Sequence, residues 1–183
     1  MKVTPTEFEG MVILSPPLFE DARGHFFEAY NKQILHRVGI EINFVQDNQS
    51  FSKKNVLRGL HFQRPPYAQT KLVRVLSGSI LDVVVDMRKS KPTFGKSFSI
   101  VLSSQNHKQL LIPKGFAHGF LVLSEQADVL YKCDVEYHRE SEGGILCSDP
   151  TLRIDWTMNL DHVVLSDRDR QLLPFLQQES PFH

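Results

Sequence analysis

Apolar residues along this chain come in short runs rich in Val, Ile, Leu and Phe, separated by Gly, Pro, Ser and Asn. That is the pattern of β-strands broken by turns. Strands are predicted at Met11–Leu14, His25–Tyr30, Asn43–Ser50, Val56–Gln63, Lys71–Leu76, Ile80–Met87, Lys96–Ser103, Gln109–Ile112, Ala117–Ser124 and Ala127–Tyr137. Ser77-Gly78-Ser79 sits between two runs and reads as a tight hairpin turn; Ser124-Glu125-Gln126 is a weaker turn of the same kind. Two segments read as helix. Lys32–Val38 stops at Gly39, and Asp167–Leu173 follows a good N-cap, Ser166, and stops at Pro174. Many short strands with few helices predict a mainly β fold, a sandwich or barrel. No repeat, biased tract or linker divides residues 1–183, so one domain is expected, with a polar and mobile tail after Pro174.

Composition narrows the choice of partners. The 21 Lys+Arg cancel the 21 Asp+Glu, which argues against a nucleic-acid backbone or an anionic membrane as the main partner. A hydrophobic content of 41% with 23% charged residues excludes general disorder in a chain of 183 residues, enough for one core. No apolar run approaches the roughly 18 residues that cross a bilayer. The N-terminus MKVTPTEFEGMVIL carries acids and a proline where a signal peptide needs a continuous apolar stretch. Cys133 and Cys147, with no CxxC around either, read as two buried thiols, and a cytoplasmic location is expected.

Two segments concentrate groups capable of chemistry. In Val56-Leu-Arg-Gly-Leu-His-Phe-Gln63, strict alternation puts Arg58 and His61 on opposite faces, leaving a core histidine and a surface arginine. A bulge at Gly59 would instead turn both toward one cavity. In Ile112-Pro-Lys-Gly-Phe-Ala-His-Gly-Phe120, the spacing of Pro113, Gly115 and His118 resembles the second motif of the cupin superfamily, P-x-G-x-x-H. Metal-binding cupins take further ligands from an upstream H-x-H. Here His61 is followed by Gln63, so no metal and no other cofactor is expected. Lys71, Tyr131 and Asp82 each share a strand face with apolar neighbours, which in a small barrel makes sense around a polar pocket and otherwise places them outside.

The chain resembles the dTDP-4-dehydrorhamnose 3,5-epimerase family, metal-independent enzymes with the cupin-type double-stranded β-helix or jelly-roll barrel. The resemblance runs from about Met11 to Pro174. It is carried by Phe19-x-Asp-x-Arg-Gly-x-Phe-x-Glu28, Gln46-Asp-Asn-x-Ser50, Asn55-Val-Leu-Arg-Gly-Leu-His-Phe-Gln63, Lys71-Leu-Val-Arg74 and Asp86-Met-Arg. It continues through Pro92-Thr-Phe-Gly95, the His118 motif, Leu130-Tyr-Lys132 and Ser141-Glu-Gly143.

The resemblance implies proton abstraction next to the ketone of a nucleotide-linked 4-keto-6-deoxy sugar, with inversion at C3 and C5. It implies His61 as base, Asp169 (with Asp167 as competitor) orienting it, Lys71 beside the enolate oxygen and Tyr131 as the acid on the opposite face. Arg23, Arg58 and Arg168 are implied for the diphosphate. Glu28, Gln46, Asp47, Asn48, His118 and Glu142 are implied for nucleotide or sugar contacts, and Phe26 and Phe27 for the base. A homodimer with exchanged N-terminal strands is implied too. Enzymes inverting only one centre share these residues. A sugar-binding module without turnover and a metal-dependent oxygenase are the readings from other classes.

Overall fold

A computed structural model describes all 183 residues. The chain forms thirteen strands: β1 Lys2–Pro5, β2 Val12–Ser15, β3 Phe19–Asp21, β4 Gly24–Phe26, β5 Gln46–Lys53, β6 Leu57–Gln63, β7 Lys71–Ser77, β8 Ser79–Asp86, β9 Ser97–Ser103, β10 Gln109–Ile112, β11 Phe116–Val122, β12 Gln126–Cys133 and β13 Glu142–Gly144. Two short helices accompany them, α1 Lys32–Arg37 and α2 Asp167–Arg170. A six-stranded sheet has the order β1-β2-β10-β7-β12-β5, a five-stranded sheet the order β13-β6-β11-β8-β9, and β3 pairs with β4 alone. All these pairings are antiparallel.

Alternation decides which side chains meet. Val73, Val75, Val129, Ile80, Val84, Phe120 and Val122 from both sheets form one buried cluster between them. The outer face of the five-stranded sheet, including Leu57, Leu81, Val83 and Leu121, is covered by Ile145, Leu152, Trp156, Phe175 and Phe182. Leu35 of α1 packs on Leu72 and Leu111 outside the larger sheet. The sandwich is thus apolar at one end. Toward the other end the inward positions turn polar.

The structure redraws several expected boundaries. Of the predicted 25–30 strand only His25 and Phe26 pair, within β4, and the strand expected from Asn43 begins at Gln46. The strand predicted through Tyr137 ends at Cys133, where Asp134 leaves the ladder to accept the Thr70 N–H at 2.6 Å. Helix α2 is one turn rather than reaching Leu173, because the Gln171 N–H turns back to the Arg168 carbonyl at 3.1 Å and tightens the end of the helix, after which the Leu173 carbonyl accepts the Leu146 N–H at 3.0 Å. The segment after Pro174, expected to be mobile, is packed. Phe175 and Phe182 are each 8% exposed, and the Ser180 hydroxyl donates to the Met87 carbonyl. Apolar residues spaced through a polar tail anchor it. Cys133 and Cys147 are both buried and free.

Candidate active site

The polar end of the sandwich opens into a cavity of about 550 Å³. Its position follows from a bulge. On β6 and β11, His61 pairs with His118 and Arg58 with Phe120, so three steps on one strand oppose two on the other. The extra residue shifts the alternation and brings Arg58 and His61 to one cavity. Glycines make the bulge possible. A Cβ on Gly59, whose φ is +119°, would lie 2.6 Å from Gly119 Cα, and one on Gly119 would lie 2.5 Å from the Arg58 carbonyl.

The two walls carry different chemistry. The five-stranded sheet supplies Arg58, His61 and His118. The six-stranded sheet supplies Lys71, Tyr131 and Ser50. A segment after the sheets, Val164 to Asp169, closes one side. A smaller lobe of about 110 Å³ shares His61, Lys71 and Tyr131 and adds Gln46, Asn48, Gln63, Gln69, Tyr137 and Glu142.

Each histidine is held through Nε2 by its own carboxylate. His61 Nε2 is 2.6 Å from Asp169 Oδ1, and Asp169 is 4% exposed. Its orientation comes from α2, whose N-cap Ser166 accepts the Asp169 N–H at 3.1 Å. Asp167 is exposed on the same turn, so the choice between the two aspartates falls to Asp169. Burial works against ionised Asp169, but its hydrogen bonds with His61, the Gly59 N–H and Ser166 outweigh it and hold the carboxyl below its usual range. On the neighbouring strand, His118 Nε2 is 2.9 Å from Asp82 Oδ2, and Asp82 is fully buried. With Nε2 of each ring committed, Nδ1 is the nitrogen left for a ligand.

Across the cavity, the Lys71 ammonium lies 5.7 Å from the centre of the Tyr131 ring. Burial pushes the lysine down from its ordinary range, with Cys133, Asp82 and Glu142 pulling the other way. Burial pushes the Tyr131 phenol up, Cys133 and Glu142 add to this, and Arg58 opposes it. At the rim, Arg58 Nε donates to Ser52 Oγ at 3.0 Å, and Arg168 donates to Glu142 Oε2 at 2.7 Å. Tyr137 donates to the same Glu142 oxygen at 2.8 Å. Burial opposes the Glu142 charge, yet these two donors keep its carboxyl below the usual range.

Of the residues singled out from sequence, His61, Lys71, Tyr131, Asp169, Arg58, His118 and Arg168 line the main cavity, and Gln46, Asn48 and Glu142 the small lobe. Asp47 does not. Alternation on β5 puts it on the outer face, where both its oxygens meet the Lys132 ammonium, at 2.9 and 3.0 Å. Nor do Arg23, Phe26, Phe27 and Glu28 enter this chain's own cavity. Arg23 bonds Asp21 and Phe26 is 67% exposed, both on the β3–β4 hairpin. Phe27 lies beneath Arg74, and Glu28 accepts from Asn31 at 2.9 Å. Ser50, which closes the Gln46-Asp-Asn-x-Ser50 motif, and Tyr137 line the site without a role assigned from sequence. Alternation from Gln46 and Asn48 identifies Ser50, and alternation along the expected 127–137 strand puts Tyr137 on the face of Tyr131, although in the structure it lies beyond the end of β12.

Comparison with known proteins follows the same line. A sequence model described as dTDP-4-dehydrorhamnose 3,5-epimerase matches residues 5–177. The Escherichia coli dTDP-4-dehydrorhamnose 3,5-epimerase is 50% identical over 173 residues, covering 94% of this chain and 93% of that protein. The crystal structure of the Bacillus anthracis enzyme of that name, with TDP and PPi bound, is 47% identical with a TM-score of 0.92, covering 95% of this chain and 99% of that one. The Legionella pneumophila dTDP-6-deoxy-D-glucose-3,5-epimerase in complex with dTDP-4-keto-L-rhamnose is 45% identical with a TM-score of 0.90, covering 94% and 92%.

Proposed function

The chain belongs to the dTDP-4-dehydrorhamnose 3,5-epimerase family, and from that premise we propose that it inverts C3 and C5 of dTDP-4-dehydro-6-deoxy-D-glucose to give dTDP-4-dehydro-L-rhamnose. His61 Nδ1 takes the proton from the carbon beside the C4 ketone, and the electron pair left behind becomes an enolate. The Lys71 ammonium stabilises the enolate oxygen. Tyr131 returns a proton to the opposite face; the resulting tyrosinate regains a proton from solvent and the His61 imidazolium gives its own up to solvent, so acid and base are both reset for the second carbon. Asp169 holds His61 in the tautomer that leaves Nδ1 bare and stabilises the imidazolium that forms. Arg58 and Arg168 receive the diphosphate.

One observation carries this reading: the candidate base and acid stand on different sheets and face each other across the cavity. A ring held between them has one on each face. Binding alone has no use for that arrangement. The decisive experiment incubates the nucleotide keto sugar with the enzyme in heavy water and follows it by NMR. Deuterium is expected at both C3 and C5 of an inverted product. Label at one carbon makes this a single-centre enzyme, and no label with intact binding makes it a binding module.

We propose that the reaction needs no metal. Two histidines alone do not make a metal site, and the Gln63 amide, which stands where a further ligand would be needed, donates to the Tyr67 carbonyl at 2.7 Å while accepting the His138 N–H at 2.7 Å. That leaves no third ligand beside them. Full turnover is expected after exhaustive chelation. Loss restored by a divalent metal would refute this. We also propose a cytoplasmic homodimer in which the β3–β4 hairpin carries Arg23 and Phe26, and the turn after it Glu28, to the partner's cavity. Its support is the exposure of that hairpin, away from its own site.

A further inference from the structure

Three inward rows cross the six-stranded sheet. Lys71, Cys133 and Gln46 form the first, Val73, Tyr131 and Asn48 the second, and Val75, Val129 and Ser50 the third. The third row is apolar except at Ser50. Val75 is 4% exposed and Val129 is fully buried, and neither offers a hydrogen-bonding group. The Ser50 hydroxyl is itself shielded from solvent, has no partner, and belongs to a residue lining the main cavity. A buried hydroxyl without a partner is unfavourable, and alanine or valine would continue the row at no such cost. The hydroxyl makes physical sense once something in the cavity bonds it.

Its neighbours along β5 say which part of a ligand that is. One step away is Ser52, which holds the Arg58 guanidinium at 3.0 Å. One step the other way is Asn48, the register partner of Tyr131. On the reading proposed above, Arg58 meets the diphosphate on C1, and Tyr131 meets the reacting carbons C3 and C5. C1 is joined to C3 through C2, which bears a hydroxyl, and to C5 through the ring oxygen, a weak acceptor and no donor; of these two groups the C2 hydroxyl is the better partner for a serine that lies between Arg58 and Tyr131 on the strand.

We infer that Ser50 is a specificity-determining residue that hydrogen-bonds the C2 hydroxyl of the substrate, so that the enzyme selects 2-hydroxy over 2-deoxy sugars. This rests on the proposed epimerase reading. A site built to pair a substrate hydroxyl rejects the analogue lacking it, since the protein group is then left unpaired. The test measures kcat/KM of wild type and Ser50→Ala on the nucleotide 4-keto-6-deoxy sugar and on its 2-deoxy analogue. Wild type is expected to favour the 2-hydroxy sugar by about tenfold or more. In Ser50→Ala that preference is expected to collapse toward unity, through loss on the 2-hydroxy sugar and little change on the analogue. Equal losses on both sugars, or an unchanged preference, would overturn the inference while leaving the epimerase reading intact. A wild type that turns over neither sugar removes that reading and the inference together. Matching thermal melts of the two proteins separate a lost contact from a lost fold.

Discussion

At the scale of single residues, the opposed walls give each candidate group its own signature. His61→Asn should abolish solvent exchange at both C3 and C5, since no other base is tied to a carboxylate at Nε2 on that strand; general-base catalysis is worth about 10²–10⁴-fold. Tyr131→Phe should still exchange substrate hydrogens, because His61 can return a deuteron to the face it took a proton from, but it should form little inverted product. Inversion at wild-type rate by Tyr131→Phe would place the acid elsewhere. Lys71 adds a pH dependence with a definite sign. Burial lowers its pKa, so the ammonium, and with it the enolate stabilisation, is present on the acid side and lost as pH rises through a value below the ordinary lysine range. Tyr131 is shifted upward and stays protonated over that interval. The alkaline limb of kcat should therefore belong to Lys71. Lys71→Arg, if active, should lose that limb, since a guanidinium stays charged. A limb that persists in Lys71→Arg would assign it to another group.

At the scale of elements, the β6 bulge is the local feature on which the site depends. Gly119→Ala would drive a Cβ into the Arg58 carbonyl. Overpacking of this kind costs about 1–3 kcal/mol, and a shift of about 1 Å in reacting groups can cost about 10²-fold in rate. We expect a lower melting temperature together with a fall in kcat that exceeds the rise in KM; an unchanged kcat would remove the bulge from the account of catalysis. The sequence made much of this legible. Runs of Val, Ile and Leu located nearly all the long strands, and Gly59 between Arg58 and His61 marked the bulge. What it left hidden were features fixed by distant partners. Strand β1, only four residues long, exists through its pairing with β2, and β13 exists through β6. Asp47 sits in a motif but on the wrong face, which a motif without a register does not reveal. The tail looked mobile because its anchors, Phe175, Ser180 and Phe182, bind residues far back in the chain.

At the scale of the whole molecule, the β3–β4 hairpin predicts complementation. Light scattering should give twice the chain mass of 21.0 kDa. Chains carrying Arg23→Ala and chains carrying His61→Asn should each be inactive alone. Mixed under exchange, they should recover about a quarter of wild-type sites, because a hybrid dimer holds one cavity with both residues intact. A dimer that forms hybrids without recovering activity would return Arg23 to its own chain. The two facing walls have one more consequence. Successive inward side chains on a strand are roughly 6–7 Å apart, whereas C3 and C5 of a pyranose are separated by a single ring carbon. The sheet is a ruler too coarsely graduated to address the two carbons separately: moving the proton donor by one division would overshoot both. One donor must then serve both centres, and the choice between inverting one carbon and inverting two lies in how far the sugar turns between encounters with that donor.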